Sequence, residues 1–372
     1  MNMSVSNHIS DRYNRQLILK GFGEKAQEKL ASAKILVIGA GGLGCPALLY
    51  LVAAGVGQIG IVDHDQVSLS NLHRQVLYDM DDIGKPKASM AALKLGRLND
   101  QVTITPLPIR LQPTNCLGLL AEYDIILDGT DNFAARYMVN DACVLLDKPL
   151  VYGAVSQYEG QVAIFNVGET RTNYRDLFPH PPAAGEVLNC AEAGVLGVLP
   201  GIIGTMQAAE AIKLITGIGQ PLVNRLYTFN VLGYDSYELI IEPTPLSASL
   251  IPPDAEHFSE TNYDWLCGLV STEFEIDNSI FHSLLSKENT LIIDVREEGE
   301  TPLADGFPHR QLPLSLLKEK LQDLEAETVV FFCQSGKRSL QAAQWLKEIN
   351  GPVKNIFSLQ GGILNWRSPI SE

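Results

Sequence analysis

The chain has 372 residues, 46% of them hydrophobic and 19% charged, and a formal net charge of −15. This composition excludes a disordered chain, and the length exceeds one typical core, which predicts two domains. The acidic balance argues against a nucleic-acid partner, no apolar run is read as long enough to span a bilayer, and no signal-peptide segment opens the chain, so a cytoplasmic location with no membrane partner is expected.

In chain order, strand-like runs and helical patterns alternate. "KILVIG" (34–39) and "QIGIVD" (58–63) predict short buried parallel strands, with "GLGCPALLYLVAAGV" (42–56) as the helix between them. A helix over 87–98, a strand at 102–107, a helix over 115–121 and a strand at 124–129 follow. A helix over 133–146 then leads to a strand at 149–155. Such repetition predicts a doubly wound, mostly parallel sheet. Past Gly153 the pattern alternates more strictly, at 160–167, 224–231 and 234–242, which predicts antiparallel strands at the far end of that sheet. A long loop is expected over 168–188 and a helix over 201–216, closed by Gly217. "EPTPLSASLIPPDAEHFSE" reads as a Pro- and Ser-rich linker. Beyond it, "TLIIDVRE", "TVVFFCQSG" and "NIFSLQGG" each end a strand, which predicts a second, smaller α/β domain. The expected boundaries are 8–242, a linker over 243–272, and 273–372. The six cysteines are scattered without a C-x-x-C pair, so reduced thiols are expected.

The first chemistry lies in the glycines. Gly39, Gly41 and Gly44 form a G-x-G-x-x-G after the first strand, and Asp63 stands 19 positions past the last of them, at the end of the next strand. Alone, the glycines need only serve a tight turn. With the carboxylate they predict a nucleotide site, where Asp63 accepts from ribose hydroxyls. Downstream, Arg74 and Lys87 are two cations able to neutralise a polyphosphate and a departing pyrophosphate. Asn71 and Gln75 lie with them. Taken singly each is an ordinary surface group; as a set they favour group transfer over hydride transfer. "DIILDGTDN" puts Asp128 and Asp131 at a strand's C-terminal end, where Asp131 reads either as a Mg²⁺ ligand or as a helix cap.

"RYNRQ", "GAGGLG", "VDHDQVSLSNLHRQ", "GKPK", "GTDN" and "CAEAGVLG" resemble the MoeB/ThiF/HesA family, bacterial relatives of ubiquitin-activating enzymes, over about residues 8–242. The resemblance implies that a ubiquitin-like sulfur carrier of the MoaD or ThiS type is adenylated by ATP at its C-terminal glycine. It implies Gly42 against the nucleotide, Asp63 on the ribose, and Asn71, Arg74 and Lys87 around the phosphates, with Gln75 and Asn132 beside them. Asp131 would hold Mg²⁺. Arg15 would reach a partner subunit's phosphate site, which implies a homodimer. Cys190 stands where relatives carry a reactive cysteine; a small buried thiol is the alternative, and motif position alone favours the reactive reading. Many relatives also hold a zinc ion with two C-x-x-C pairs. Here the first pair would fall at Asn173 and Asp176, and no cysteine stands near "EPTPLSAS", so no zinc and a less tethered 168–188 loop are expected.

In the tail, "FFCQSGKRS" ends a strand with Cys333, then a glycine, Lys337, Arg338 and a helix. Backbone N–H groups of such a turn favour a thiolate or persulfide. "LIIDVRE", "CQSGKRS" and "FSLQGGILNW" resemble the rhodanese family, whose members carry sulfur as a cysteine persulfide; "EGETPLADGFPHRQLP" departs from its pattern. The resemblance makes Cys333 the carrier, loaded by a persulfide donor such as a cysteine desulfurase. It leaves the molybdopterin, thiamine and other sulfur pathways open. Three alternatives compete: an NAD-dependent oxidoreductase with an appended sulfurtransferase, a non-catalytic scaffold docking a ubiquitin-like protein, and adenylation of a peptide instead of a sulfur carrier, against which the appended rhodanese-like segment favours sulfur transfer. The first lacks a catalytic His or Lys near the sheet's C-terminal edge, since His64 and His73 read as surface groups. Intact Asp63, Arg74, Lys87, Asp131 and Cys333 argue against the second.

Overall fold

The computed structural model describes residues 11–181, 193–267, 274–304, 306–349 and 351–366. The chain divides into two compact units, Met1–Tyr263 and Asp264–Glu372.

The first unit is built on an eight-stranded sheet. Its strands are β1 (Lys34–Ile38), β2 (Gln58–Val62), β3 (Thr103–Leu107), β4 (Ile125–Asp128), β5 (Leu150–Ser156), β6 (Glu159–Phe165), β7 (Arg225–Asn230) and β8 (Asp235–Ile240). They lie in the order β3-β2-β1-β4-β5-β6-β7-β8. The first five neighbours in that order run parallel, and β5 to β8 pair antiparallel. This is the expected doubly wound sheet with antiparallel end strands. β1, β2 and β4 are almost wholly buried, which is why Ile, Leu and Val dominate them, with Gly60 inside β2, rather than alternating with polar residues.

Helices cover the sheet where the patterning places them. The Gly44–Ala54 helix ends at Gly55, whose φ of 86° supplies a left-handed cap. The Val198–Thr216 helix begins three residues earlier than expected and ends at Gly217, φ 78°. At 19 residues this helix is long and apolar enough to cross a bilayer, contrary to the reading that no run reaches that length. Its packing explains its composition: it lies against the Gly44–Ala54 helix and against β5 and β6, with Leu199, Ile203, Ala208 and Ala211 buried.

The linker expectation fails over its first twenty residues. Pro245–Leu250 and Ala255–Glu260 are helices capped by Thr244 and Asp254. Phe258 is fully buried, the second helix packs against the Pro113–Ala121 helix, and the Tyr263 hydroxyl donates to Asp141 Oδ2 at 2.9 Å. Here Pro245 starts one short helix and Thr244 and Asp254 cap the two, so the segment is ordered rather than loose.

The second unit holds β9 (Glu275–Ile276), β10 (Thr290–Asp294), β11 (Arg310–Gln311), β12 (Thr328–Phe332) and β13 (Asn355–Leu359). The order is β11-β10-β12-β13-β9, all parallel. β12 is central and fully buried, so a residue just past its C-terminal end stands at the sheet's ligand-binding edge.

Candidate functional site

In the first unit the sheet order reverses at β1, which pairs with β2 on one side and β4 on the other. Ligands of open α/β sheets bind in the crevice at such a point. The glycines are there because side chains will not fit. Gly39 has φ 92°, and a Cβ on it would lie 2.7 Å from the Gly129 carbonyl oxygen; a Cβ on Gly44 would lie 1.9 Å from that of Gly39. The turn after β1 and the "GTDN" turn after β4 therefore touch.

Asp63 closes the turn from the side. Its carboxylate accepts from Ala40 N and from Asp65 N, both at 2.8 Å. Burial pushes this carboxyl up from its usual range, while Lys87 and the two N–H groups pull it down. Lys87 opens the Lys87–Leu98 helix, is buried, and donates through Nζ to Asp65 Oδ2 at 2.9 Å. The Tyr78 hydroxyl donates to the carbonyls of Ala40 (2.9 Å) and Lys87 (3.2 Å), tying the glycine turn to the lysine. Asp65 and Tyr78 are residues that sequence reasoning missed; the D-x-D spacing of Asp63 and Asp65 was the available signal for the first.

Arg74 and Gln75 reach the same turn from the Leu69–Asn71 helical turn and its successor. A Cβ on Gly42 would lie 3.7 Å from Arg74 Cδ, and one on Gly41 would lie 3.5 Å from Gln75 Nε2. Arg74 Nη1 donates to the Ser70 carbonyl at 3.0 Å and lies 2.8 Å from His73 Nε2, which leaves its Nε and Nη2 donors open among the described residues. Gln75 is buried, and its Oε1 has no partner among the described residues. Such an orphaned acceptor beside a glycine turn fits a bound ligand's donor. Asn71 lies half-buried, its Oδ1 accepting from Ser68 N at 3.0 Å in a capping box.

Asp131 and Asn132 are exposed on the "GTDN" turn. The cap of the Phe133–Leu145 helix is Asn132, which accepts from Ala135 N at 2.9 Å. The helix-cap alternative for Asp131 is thereby removed, and its carboxylate has no bonded partner among the described residues. Behind it, Asp128 is fully buried and accepts from Thr130 N and Oγ1 at 2.9 and 2.7 Å. Burial raises this carboxyl and Arg136, with Nε 3.8 Å away, opposes that. Arg15 is exposed, on a helical stretch over 11–17. Cys190 lies outside the described residues.

The zinc positions hold a different structure. Asn173 Nδ2 donates to Ser247 Oγ (2.8 Å) and to Asp176 Oδ2 (3.0 Å), and Thr244 donates to Asp176 Oδ1 from its N (2.7 Å) and its Oγ1 (3.2 Å). Two i,i+3 pairs thus close on each other through oxygen and amide groups that satisfy one another. No thiolate is present, so this set does not fit a four-thiolate zinc. Nor is the loop base loosely tethered, as expected. Arg175, beside the quartet, makes a buried bidentate pair with Asp141 at 2.8 and 2.7 Å. That pair ties the described part of the loop to the Phe133–Leu145 helix without a metal ligand of its own.

In the second unit Cys333 follows β12 and is 1% exposed. Gly336 has φ 88° and begins the Lys337–Glu348 helix, whose first N–H groups have no intrahelical partner. Ile363 N and Leu364 N donate to the carbonyls of Cys333 (2.8 Å) and Gln334 (3.1 Å). This backbone clamp needs Gly362, where a Cβ would lie 2.4 Å from the Cys333 oxygen. Arg338 donates to both carboxylate oxygens of Glu300 at 2.5 and 2.6 Å, and it holds that carboxyl down at about 2. Glu300 was not singled out from the sequence; it lies in the segment that departs from the rhodanese pattern. The Lys337 side chain lies outside the described set.

The ThiF family profile matches residues 13–245, and the rhodanese-like domain profile matches 277–369. "Sulfur carrier protein adenylyltransferase" of Thermus thermophilus is 48% identical over 263 residues, 70% of this chain and 97% of that one. "Probable adenylyltransferase/sulfurtransferase MoeZ" of Mycobacterium tuberculosis is 39% identical over 372 residues, 95% of this chain and 92% of that one. Among solved structures, E. coli MccB with MccA-N7isoASN superposes with a TM-score of 0.57 at 23% identity, covering 63% of this chain and 73% of that one, a likeness of fold.

Proposed function

Because this chain belongs to the ThiF family and carries a rhodanese-like domain, we infer that its first unit activates a carboxylate and its second supplies sulfur to it. It is an adenylyltransferase and sulfurtransferase acting on a ubiquitin-like sulfur carrier. The single observation that carries the adenylation reading is the gathering of Asp63, Arg74, Gln75 and Lys87 around the Gly39–Gly44 turn at the β1/β4 reversal.

The site needs to position two anions and absorb charge. The carrier's terminal carboxylate attacks the α-phosphorus of ATP; the bond to the β-phosphate oxygen breaks, and pyrophosphate leaves with the electron pair. Glycines let the backbone approach the nucleotide, and Asp63, oriented by Ala40 N, accepts from the ribose. Lys87 and Arg74 neutralise the developing charge, with Asn71, Gln75 and Asn132 as lesser polar contacts. Asp131, a carboxylate with no bonded partner among the described residues, would hold Mg²⁺, which would supply further charge neutralisation for the polyphosphate when bound. A homodimer would bring Arg15 of each subunit to the other's phosphate site.

Cys333, loaded by a persulfide donor such as a cysteine desulfurase, then attacks the acyl-adenylate through its terminal sulfur and expels AMP. The product is an acyl disulfide. A second thiolate, Cys190 or an outside thiol, attacks the Cys333 sulfur, and the carrier leaves as a thiocarboxylate. Pyrophosphate exchange should require a carrier with its C-terminal glycine carboxylate free. Equal exchange with a carrier amidated at that carboxylate would contradict the reading, and turnover of NADH would favour the oxidoreductase instead.

A further inference from the structure

Two fully buried hydroxyls lie beneath the Cys333 sulfur. Ser339 is in the first turn of the Lys337–Glu348 helix and Ser358 is on β13. Ser358 shares its strand face with Ile356, which belongs to the apolar cluster with Leu340 and Ala343. A hydroxyl in such a layer costs free energy unless it is hydrogen-bonded, and alanine would fit there. Ser358 Oγ donates to Ser339 Oγ at 2.8 Å. Ser339 Oγ in turn faces two acceptors, the Gly336 carbonyl at 3.0 Å and Cys333 Sγ at 3.6 Å.

A hydroxyl has one proton to give. The Gly336 carbonyl already accepts from Leu340 N at 3.1 Å, so it is satisfied without Ser339. Beside a neutral thiol the carbonyl is the better acceptor. Beside a thiolate or persulfide anion the sulfur is, because hydrogen bonds to a charged acceptor are about twice as strong. Ser358 occupies a lone pair of Ser339 and polarises its O–H outward, an effect that low local polarity strengthens.

We propose that Ser339 and Ser358 are positioning residues for the sulfur chemistry of Cys333: a two-hydroxyl relay that turns a proton onto the sulfur when the sulfur carries negative charge. The proposal deepens the reading of Cys333 as sulfur carrier and rests on it.

The test uses the full chain with iodoacetamide at one neutral pH, following the Cys333 peptide by mass spectrometry. Ser339→Ala should slow alkylation about tenfold and Ser358→Ala about threefold, since a bond to a charged group outweighs the one behind it. Ser358→Thr should restore the rate. Should Ser358→Ala fail to fold, Ser358→Cys, of similar volume and a weaker donor, gives the same comparison. Unchanged alkylation in the alanine variants, or a fall in thermal midpoint with unchanged alkylation, would overturn the relay. Alkylation needs no sulfur donor, so its result stands whether or not Cys333 is later found to carry persulfide.

Discussion

At the scale of single residues, the candidate ligand-facing groups were legible and the residues that hold them were not. Asp63, Arg74 and Lys87 stood out because a glycine turn followed by a carboxylate and two cations has a chemical meaning. Asp65, which holds the Lys87 ammonium, and Glu300, which holds Arg338, are carboxylates among 43 acidic residues, and only folding shows what they face. Glu300 makes the sharper prediction. Its folded value of about 2 lies below its ordinary 4.5, so the pair stabilises the second unit above pH 4.5, and that contribution disappears as pH falls toward 2. The gap in thermal midpoint between wild type and Glu300→Gln, read on the second unit's transition, should therefore be open at neutral pH and close across that window. A gap independent of pH would show that the bidentate contact carries no charge-dependent stability.

Elements were the most legible scale. The buried strands announced themselves as short runs of Ile, Leu and Val, and the Val198–Thr216 helix by its glycine stop at Gly217, whereas the stop at Gly55 was read as part of its helix. The 243–263 segment was missed because proline and serine are common to linkers and to helix starts, and only the buried Phe258 and the Tyr263–Asp141 bond separate the cases. The zinc positions are instructive for the same reason. Missing cysteines could be read, but the closure of Asn173, Asp176, Thr244 and Ser247 on one another could not, since it joins two segments about seventy positions apart in sequence. If the quartet has kept the geometry of a metal clasp, then changing all four to cysteine should create a site for about one zinc per chain. Metal analysis after dialysis checks this. Absence of bound zinc in a folded quadruple variant would mean that the two pairs no longer aim at a common centre. The thermal midpoint of the unmodified chain should not respond to a chelator.

At the scale of the whole molecule, the chain divides into two compact units, and the two proposed chemistries, an activated carboxyl and a sulfur nucleophile, are complementary; tethering raises the local concentration of the second reactant provided that the link can span the two sites. Symmetry adds a prediction. If Arg15 serves the partner's phosphates, Arg15→Ala and Lys87→Ala chains are each inactive, but subunit exchange between them yields heterodimers with one complete site. Mixing equal amounts should recover about a quarter of wild-type pyrophosphate exchange. No recovery, with exchange of subunits verified, would place Arg15 in its own subunit's site or outside any site.

The division of labour itself is tested most directly by Cys333→Ala in the full chain, assayed for both half-reactions. The account predicts pyrophosphate exchange at the wild-type rate and no thiocarboxylate on the carrier, seen by mass spectrometry as the loss of the 16-Da gain that replacing oxygen with sulfur gives, roughly the mass difference of the two atoms. Thiocarboxylate formed at the normal rate without Cys333, or loss of pyrophosphate exchange in a folded variant, would contradict it.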